Sequence, residues 1–187
     1  LARVNALGAR VARTWDALGR VVREEVFDAG DALLSRVDFG YDANGNKTSE
    51  THRRTVDSAP TTTTTLFAYD AANRLVRVTD PLGGVRRFER DAAGRVVAAV
   101  DALGRRTTFG FDTVGRLLRT TYPDGTHEES TYDAEGNAIA TRDRAGRVTT
   151  YVFDEENRVV STVRPDGAVA RTVYTPAGRV AATIDEL

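Results

Sequence analysis

The sequence predicts an all-β chain built from antiparallel β-hairpin repeats of about 21 residues. Three observations carry this. An aromatic residue or its stand-in, followed by aspartate, recurs in phase at Tyr69-Asp70, Arg90-Asp91, Phe111-Asp112, Tyr132-Asp133 and Phe153-Asp154. Each lies 21 residues after the last, and Tyr174 follows after another 21. Every unit carries two turn signals, and β-branched residues fill the short stretches between them.

The turns come first in each unit. Four residues after the anchor stand Asn73, Gly94, Gly115, Gly136, Asn157 and Gly178, and fourteen after it stand Gly83, Gly104, Gly125, Gly146 and Gly167. Gly and Asn accept positive φ, and an Asp three or four positions earlier can bond the amides of its own turn. The chain should therefore reverse about every ten residues, as two turns in a 21-residue period require.

Between the turns, stretches such as Arg74–Thr79, Arg95–Val100, Arg147–Phe153 and Arg158–Val163 read as strands. Seven positions after the anchor the residue is apolar (Val76, Val97, Leu118, Ile139, Val160, Ala181), and nine after it is small or β-branched (Val78, Ala99, Thr120, Thr141, Thr162, Thr183). Positions of one parity share a face, and this face is assigned inwards. On the returning strand Phe67 with Tyr69, Phe109 with Phe111, and Tyr151 with Phe153 share a face, where rings of successive units can meet. Arg86, Arg87, Glu89 and Arg90 around Phe88 need solvent or ionic partners.

Upstream, Trp15-Asp16-Ala-Leu-Gly19-Arg20 and Tyr41-Asp42-Ala-Asn-Gly45-Asn46 repeat the phrase, but the gaps widen to 26 and 28 residues, with Thr61–Thr65 inside the longer one. These are expected to be repeats with enlarged turns, since a solvated loop takes extra residues at small entropic cost. The expected organisation is one repeat region over 1–187, irregular over 1–68 and regular over 69–187.

With 41% apolar residues the chain can bury a core, and a formal net charge of -1 gives it no pull towards nucleic acid or an anionic membrane. Without cysteine it has neither disulfides nor thiolate zinc sites. No window approaches the ~18 apolar residues of a membrane span, and the N-terminus lacks the blocks of a signal peptide. The chain contains no methionine, from which a processed or excised piece of a larger protein is expected.

No catalytic, cofactor-binding or metal-ligating residue is assigned. The glycines fit neither G-x-x-x-x-G-K-[ST] nor G-x-G-x-x-G, and Lys47 is the sole lysine. Asp42–Asn46 and Asp133–Asn137 place oxygens at alternate positions, as calcium prefers, but lack a distal bidentate glutamate and read as Asx turns. His127 takes an ordinary strand position and His52 opens an enlarged turn; neither sits beside a nucleophile elbow or an H-E-x-x-H motif. The pairs Glu24-Glu25, Glu128-Glu129 and Glu155-Glu156 put neighbouring carboxylates on opposite strand faces. The residues singled out serve the repeat itself: Trp15, Asp16, Gly19, Tyr41, Asp42, Gly45, Tyr69, Asp70, Asn73, Asp91, Gly94, Phe111, Asp112, Gly115, Tyr132, Asp133, Gly136, Phe153, Asp154, Asn157, Tyr174 and Gly178.

The tyrosine-aspartate phrase followed by x-x-Gly-Arg, recurring at about 21 residues, resembles the YD repeats of the Rhs family, also found in insecticidal toxin complexes and teneurins. The resemblance covers nearly the whole chain, with departures at Arg90, at Thr175 and over Lys47–Glu50. It implies a ribbon of hairpins that coils into a β-solenoid-like arc or hollow β-shell, enclosing or displaying a toxin or other polypeptide cargo. It implies as partners the remaining repeats and that cargo, and a secreted or cell-surface bacterial location. An alternative function is a carbohydrate- or cell-surface-binding adhesion module, and exposed end strands allow self-association. The family's self-cleaving aspartate-proline motif is matched only superficially by Asp80-Pro81, which shares the phase of Asp101 and Asp143 and reads as a turn.

Overall fold

The computed structural model describes residues 3–4, 9–56 and 59–186. It contains strands and turns only: β1 (Arg3–Val4), β2 (Arg10–Trp15), β3 (Val21–Phe27), β4 (Leu33–Tyr41), β5 (Lys47–Val56), β6 (Ala59–Tyr69), β7 (Leu75–Thr79), β8 (Val85–Arg90), β9 (Val96–Val100), β10 (Arg106–Phe111), β11 (Leu117–Thr121), β12 (His127–Tyr132), β13 (Ala138–Arg142), β14 (Val148–Phe153), β15 (Val159–Val163), β16 (Val169–Tyr174) and β17 (Val180–Glu186). Two compact units result, one of residues 1–95 and 99–104, the other of residues 96–98 and 105–187. β1 to β8 form an antiparallel meander in the first, and β10 to β17 form another in the second.

Within each meander a strand pairs with its sequence neighbours because a hairpin of two four-residue turns per period leaves no slack for a crossover. The ladder breaks its register in alternate hairpins of the regular repeats, at the anchor, and upstream also at Phe27, before the Asp28 turn. Phe111 opposes Leu117 while Gly110 opposes Arg119, and the same shift occurs at Tyr69, Tyr132, Phe153 and Tyr174. The residue seven places after the anchor is therefore the extra one of a β-bulge, which turns the anchor ring towards its neighbours.

Cross-strand partners show which side chains share a face. Phe109 lies opposite Thr120, Tyr151 opposite Thr162, and Thr162 opposite Ala170. The anchor rings and the small residues nine places on thus occupy one face, as parity requires. That face is the more covered: in β14, Thr149, Tyr151 and Phe153 are partly buried whereas Val148, Thr150 and Val152 are exposed. Among the described residues Ala98 is the one fully buried hydrophobic residue. Most of the remaining apolar surface is half covered, so cohesion rests on ladders, turns and side-chain links more than on a sealed core.

The widened upstream spacing has a different origin from the enlarged turns expected. β5 and β6 are simply long, 10 and 11 residues, and Thr61 to Thr65 sit inside β6, paired with Arg54 to Glu50. Threonine is β-branched and alternates comfortably across a pleat, so the extra residues extend the ladder and gain pairings that a loop would not. His52 is accordingly a mid-strand residue opposite Thr63, not the start of a turn. The other wide gap, between Trp15 and Tyr41, holds a reversal at Asp28–Ala32 whose left-handed residue is Asp31, φ 66°.

Candidate functional site

The feature that recurs with chemical detail is the anchor turn. In one copy the Asn73 amide donates to the Asp70 carbonyl at 3.0 Å and the Asp70 amide donates to the Arg74 carbonyl at 3.0 Å. This is a four-residue turn closed by a left-handed residue. Asn73 and Asn157 hold that slot at φ 59°, and Gly136 holds it at φ 96°, where any Cβ would be strained.

A side-chain clasp overlies the turn. Asp70 Oδ1 accepts from the amides of Ala72 and Arg74 at 2.9 and 3.0 Å, and Oδ2 accepts from Arg74 Nε at 2.8 Å. The same pattern joins Asp16 to Arg20, Asp112 to Arg116 and Asp154 to Arg158, and it recurs in the second turn of one unit between Asp143 and Arg147. In Asp42–Asn46 and Asp133–Asn137 the Asn Nδ2 takes the place of the guanidinium, at 2.9 Å in both. Where Thr175 replaces the aspartate, its hydroxyl accepts the Arg179 amide at 3.1 Å. The Arg74 and Arg20 amides, against the cost of desolvation, hold the Asp70 and Asp16 carboxyls below the usual range. The Arg95 and Arg158 side chains do the same for Asp91 and Asp154.

The clasp also reaches the next repeat. The Arg20 guanidinium lies 4.6 Å from the Tyr41 ring centroid, Arg116 4.8 Å from Tyr132, and Arg158 4.5 Å from Tyr174. Each tyrosine in turn donates its hydroxyl backwards: Tyr41 to the Val21 carbonyl at 2.9 Å, Tyr69 to Lys47 at 3.0 Å, Tyr132 to Leu117 at 3.1 Å and Tyr174 to Val159 at 3.0 Å. In every case the acceptor lies six residues past the preceding anchor. Arg116 Nη1 adds a bond to the Asp133 carbonyl at 2.9 Å. Asn46 and Asn137 donate to the Asn73 and Asn157 side chains, each at 2.7 Å.

Arg90, the anchor that is not aromatic, does the same work by other means. Its Nη2 donates to the Leu75 carbonyl at 3.1 Å, the position that Tyr hydroxyls reach elsewhere, and its Nη1 donates to the Gly94 carbonyl at 2.9 Å. Its Nε is buried without a partner. A donor long enough to cross to the neighbouring repeat is supplied here by tyrosine or by Arg90, whereas Phe111 and Phe153 fill the position with a ring that has no donor.

The arginine or asparagine five places after each anchor was therefore the functional residue that turn chemistry alone overlooked. Its signal was present in the phase: Arg20, Asn46, Arg74, Arg95, Arg116, Asn137, Arg158 and Arg179 all carry side-chain N–H donors. The groups considered for catalysis take structural places. His52 bonds Glu50 at 2.7 Å, His127 lies 3.7 Å from Glu129, and Glu128 accepts from Tyr122 at 2.8 Å. Asp80 Oδ1 accepts from the amides of Leu82 and Gly84, which leaves Pro81 at a turn corner. Among the described residues no group of three or more His, Cys, Asp or Glu could hold a metal ion.

A ladder of hairpins stapled turn to turn defines a repeat scaffold, in which each unit is completed by the next. The RHS Repeat family matches residues 54–85, 69–106, 90–127 and 132–169, more than half of the chain, and the chain belongs to that family. It is a structural Rhs repeat segment. Over 119 residues it is 34% identical to "Double-stranded DNA deaminase toxin A" of Burkholderia cenocepacia (strain H111), covering 56% of this chain and 8% of that protein. It is also similar to the Photorhabdus luminescens Tc holotoxin pore, at a TM-score of 0.45 and 15% identity over 100% of this chain and 14% of that one. The TcdB2-TccC3 crystal structure gives a TM-score of 0.46 and 15% identity over 100% and 15%. The chain thus spans a small part of the length of each of these relatives.

Proposed function

We propose that this segment is an arc of wall in a β-shell that encloses or displays a polypeptide cargo of the toxin class, and that it has no reactive centre of its own. The observation that carries this is the backward hydrogen bond from Tyr41, Tyr69, Tyr132 and Tyr174 to the repeat before each, met also where Arg90 replaces the ring, while Phe111 and Phe153 hold the anchor position with the ring alone. Such a link makes a long, continuous ladder rather than a set of independent modules. Family membership and the toxin relative support the reading. The segment's partners are further repeats and the cargo, and its setting is outside the producing bacterium or on its surface.

The adhesion alternative gains nothing from the rings. One face of Tyr132 is taken by Arg116 and its hydroxyl by Leu117, so that side is not free to stack on a sugar. Limited proteolysis of the full-length parent tests the wall reading. Under native conditions a polypeptide outside the repeat region should persist while the same segment expressed alone is degraded. Equal degradation of both would refute enclosure.

A further inference from the structure

One face of the first unit carries two like-charged arginine pairs. Arg36 of β4 lies directly opposite Arg53 of β5, and Arg77 of β7 lies directly opposite Arg87 of β8. Both pairs are on the face away from the anchor rings. Arg53 is opposite Thr62, the row continues along β6 through Thr64 and Leu66 to Ala68, and Ala68 is opposite Arg77. Arg53, Thr62, Leu66, Ala68, Arg77 and Arg87 are all exposed.

Like charges facing each other across a strand pair are destabilising, yet here they occur twice on one surface. At the first pair, Arg36, Arg53 and also Arg23 converge on a single carboxylate, Asp38, with Arg23 Nε and Arg36 Nη2 each at 2.8 Å. Glu25 lies across from Arg36 on the other side. At the second pair neither Arg77 nor Arg87 has an ion-pair partner among the described residues. Over β3 to β8 this face sets five arginines (23, 36, 53, 77, 87) against three carboxylates (25, 38, 89), although the whole chain has a formal net charge of -1.

We infer that this face is a docking track for an extended acidic segment of a polypeptide. The inference goes beyond the wall reading: the track lies on the face opposite the anchor rings, the one the parity assignment turns outwards, so its occupant is a polypeptide other than the enclosed cargo. Guanidinium forks take carboxylates in bidentate geometry, and an added carboxylate would supplement Asp38 at the first pair and supply the missing counter-charge at the second. The pairs lie six residues apart along β6, roughly 20 Å, which an extended chain of about seven residues crosses. The surface between them is mostly small or hydroxyl-bearing, Ser49, Thr51, Thr62, Thr64 and Ala68, with Leu66 as an exposed apolar side chain. It offers no aromatic ring on which a nucleic-acid base could stack, and this favours polypeptide over single-stranded DNA.

The test is fluorescence anisotropy on the whole chain with three labelled probes of matched length: poly-glutamate, poly-lysine and a single-stranded DNA oligomer. Poly-glutamate should bind, weaken as salt is raised, and lose about tenfold in affinity in each of the double variants Arg36→Gln/Arg53→Gln and Arg77→Gln/Arg87→Gln. The second variant breaks no ion pair of the fold, so it carries the test if the first unfolds. Absence of poly-glutamate binding, equal binding of poly-lysine, tighter binding of DNA, or unchanged affinity in the Arg77/Arg87 variant would each overturn the inference. None of these outcomes bears on whether the parent forms a hollow shell, which proteolysis and imaging decide separately.

Discussion

Replacing Arg90 by leucine removes two hydrogen bonds, those to the Leu75 and Gly94 carbonyls at 3.1 and 2.9 Å. Both carbonyls lie in partly buried backbone, so stranding them costs about 1 kcal/mol each, or about 2 kcal/mol together. For a chain of 187 residues, that lowers the melting temperature by about 4–8 °C. Arg90→Tyr behaves differently, because Tyr41, Tyr69, Tyr132 and Tyr174 already reach the corresponding carbonyl from this slot. It should recover at least half of the loss while also removing the unpartnered buried Nε. Thermal melts followed by far-UV circular dichroism on the three proteins give the comparison. If the leucine variant melts with the parent, or the tyrosine and leucine variants melt together, the backward hydrogen bond is not what Arg90 supplies at this anchor.

Other expectations follow from the same geometry. Tyr69→Phe keeps the ring and loses one bond to the Lys47 carbonyl, so it should destabilise by about 1 kcal/mol, read from the denaturant midpoint at unchanged slope. Gly136→Val forces a β-branched residue to φ 96° and should cost about 1–3 kcal/mol, whereas Gly136→Asn should cost clearly less, since Asn73 and Asn157 hold the equivalent slot. The clasp aspartates titrate below their ordinary range when folded. Their contribution is therefore complete above the unfolded value of about 4 and is lost as pH falls through the lower folded values. Melting temperature should hold from neutral pH to mild acid and then drop; a flat profile into strong acid would contradict the clasps.

Much of the ladder was legible because its signals are local. A left-handed residue needs Gly or Asn, a turn aspartate needs nearby amides, and both stand at fixed offsets from Tyr69, Phe111 or Tyr132. What escaped depends on partners about one repeat away. The stacking of Arg116 on Tyr132, and the reach of Arg90 to Leu75, join residues 15 or 16 apart in sequence through strand pairing that no single phrase encodes. The long β5–β6 hairpin was missed for another reason. Arg53, Arg54 and the threonine run lack the apolar alternation that marks a half-buried strand, although β-branching there was a usable sign. The reversal at Asp28–Ala32 was hidden because Asp31 sits where glycine normally announces the turn. The paired arginines of the exposed face could be seen only once register was known, since Arg36 with Arg53 and Arg77 with Arg87 become neighbours through the ladder alone.

The wall reading is tested most directly by electron microscopy of the full-length parent protein. The account predicts a closed particle whose β-rich rim surrounds a cavity holding polypeptide density. An open ribbon, or a solid particle with no interior space, would contradict it.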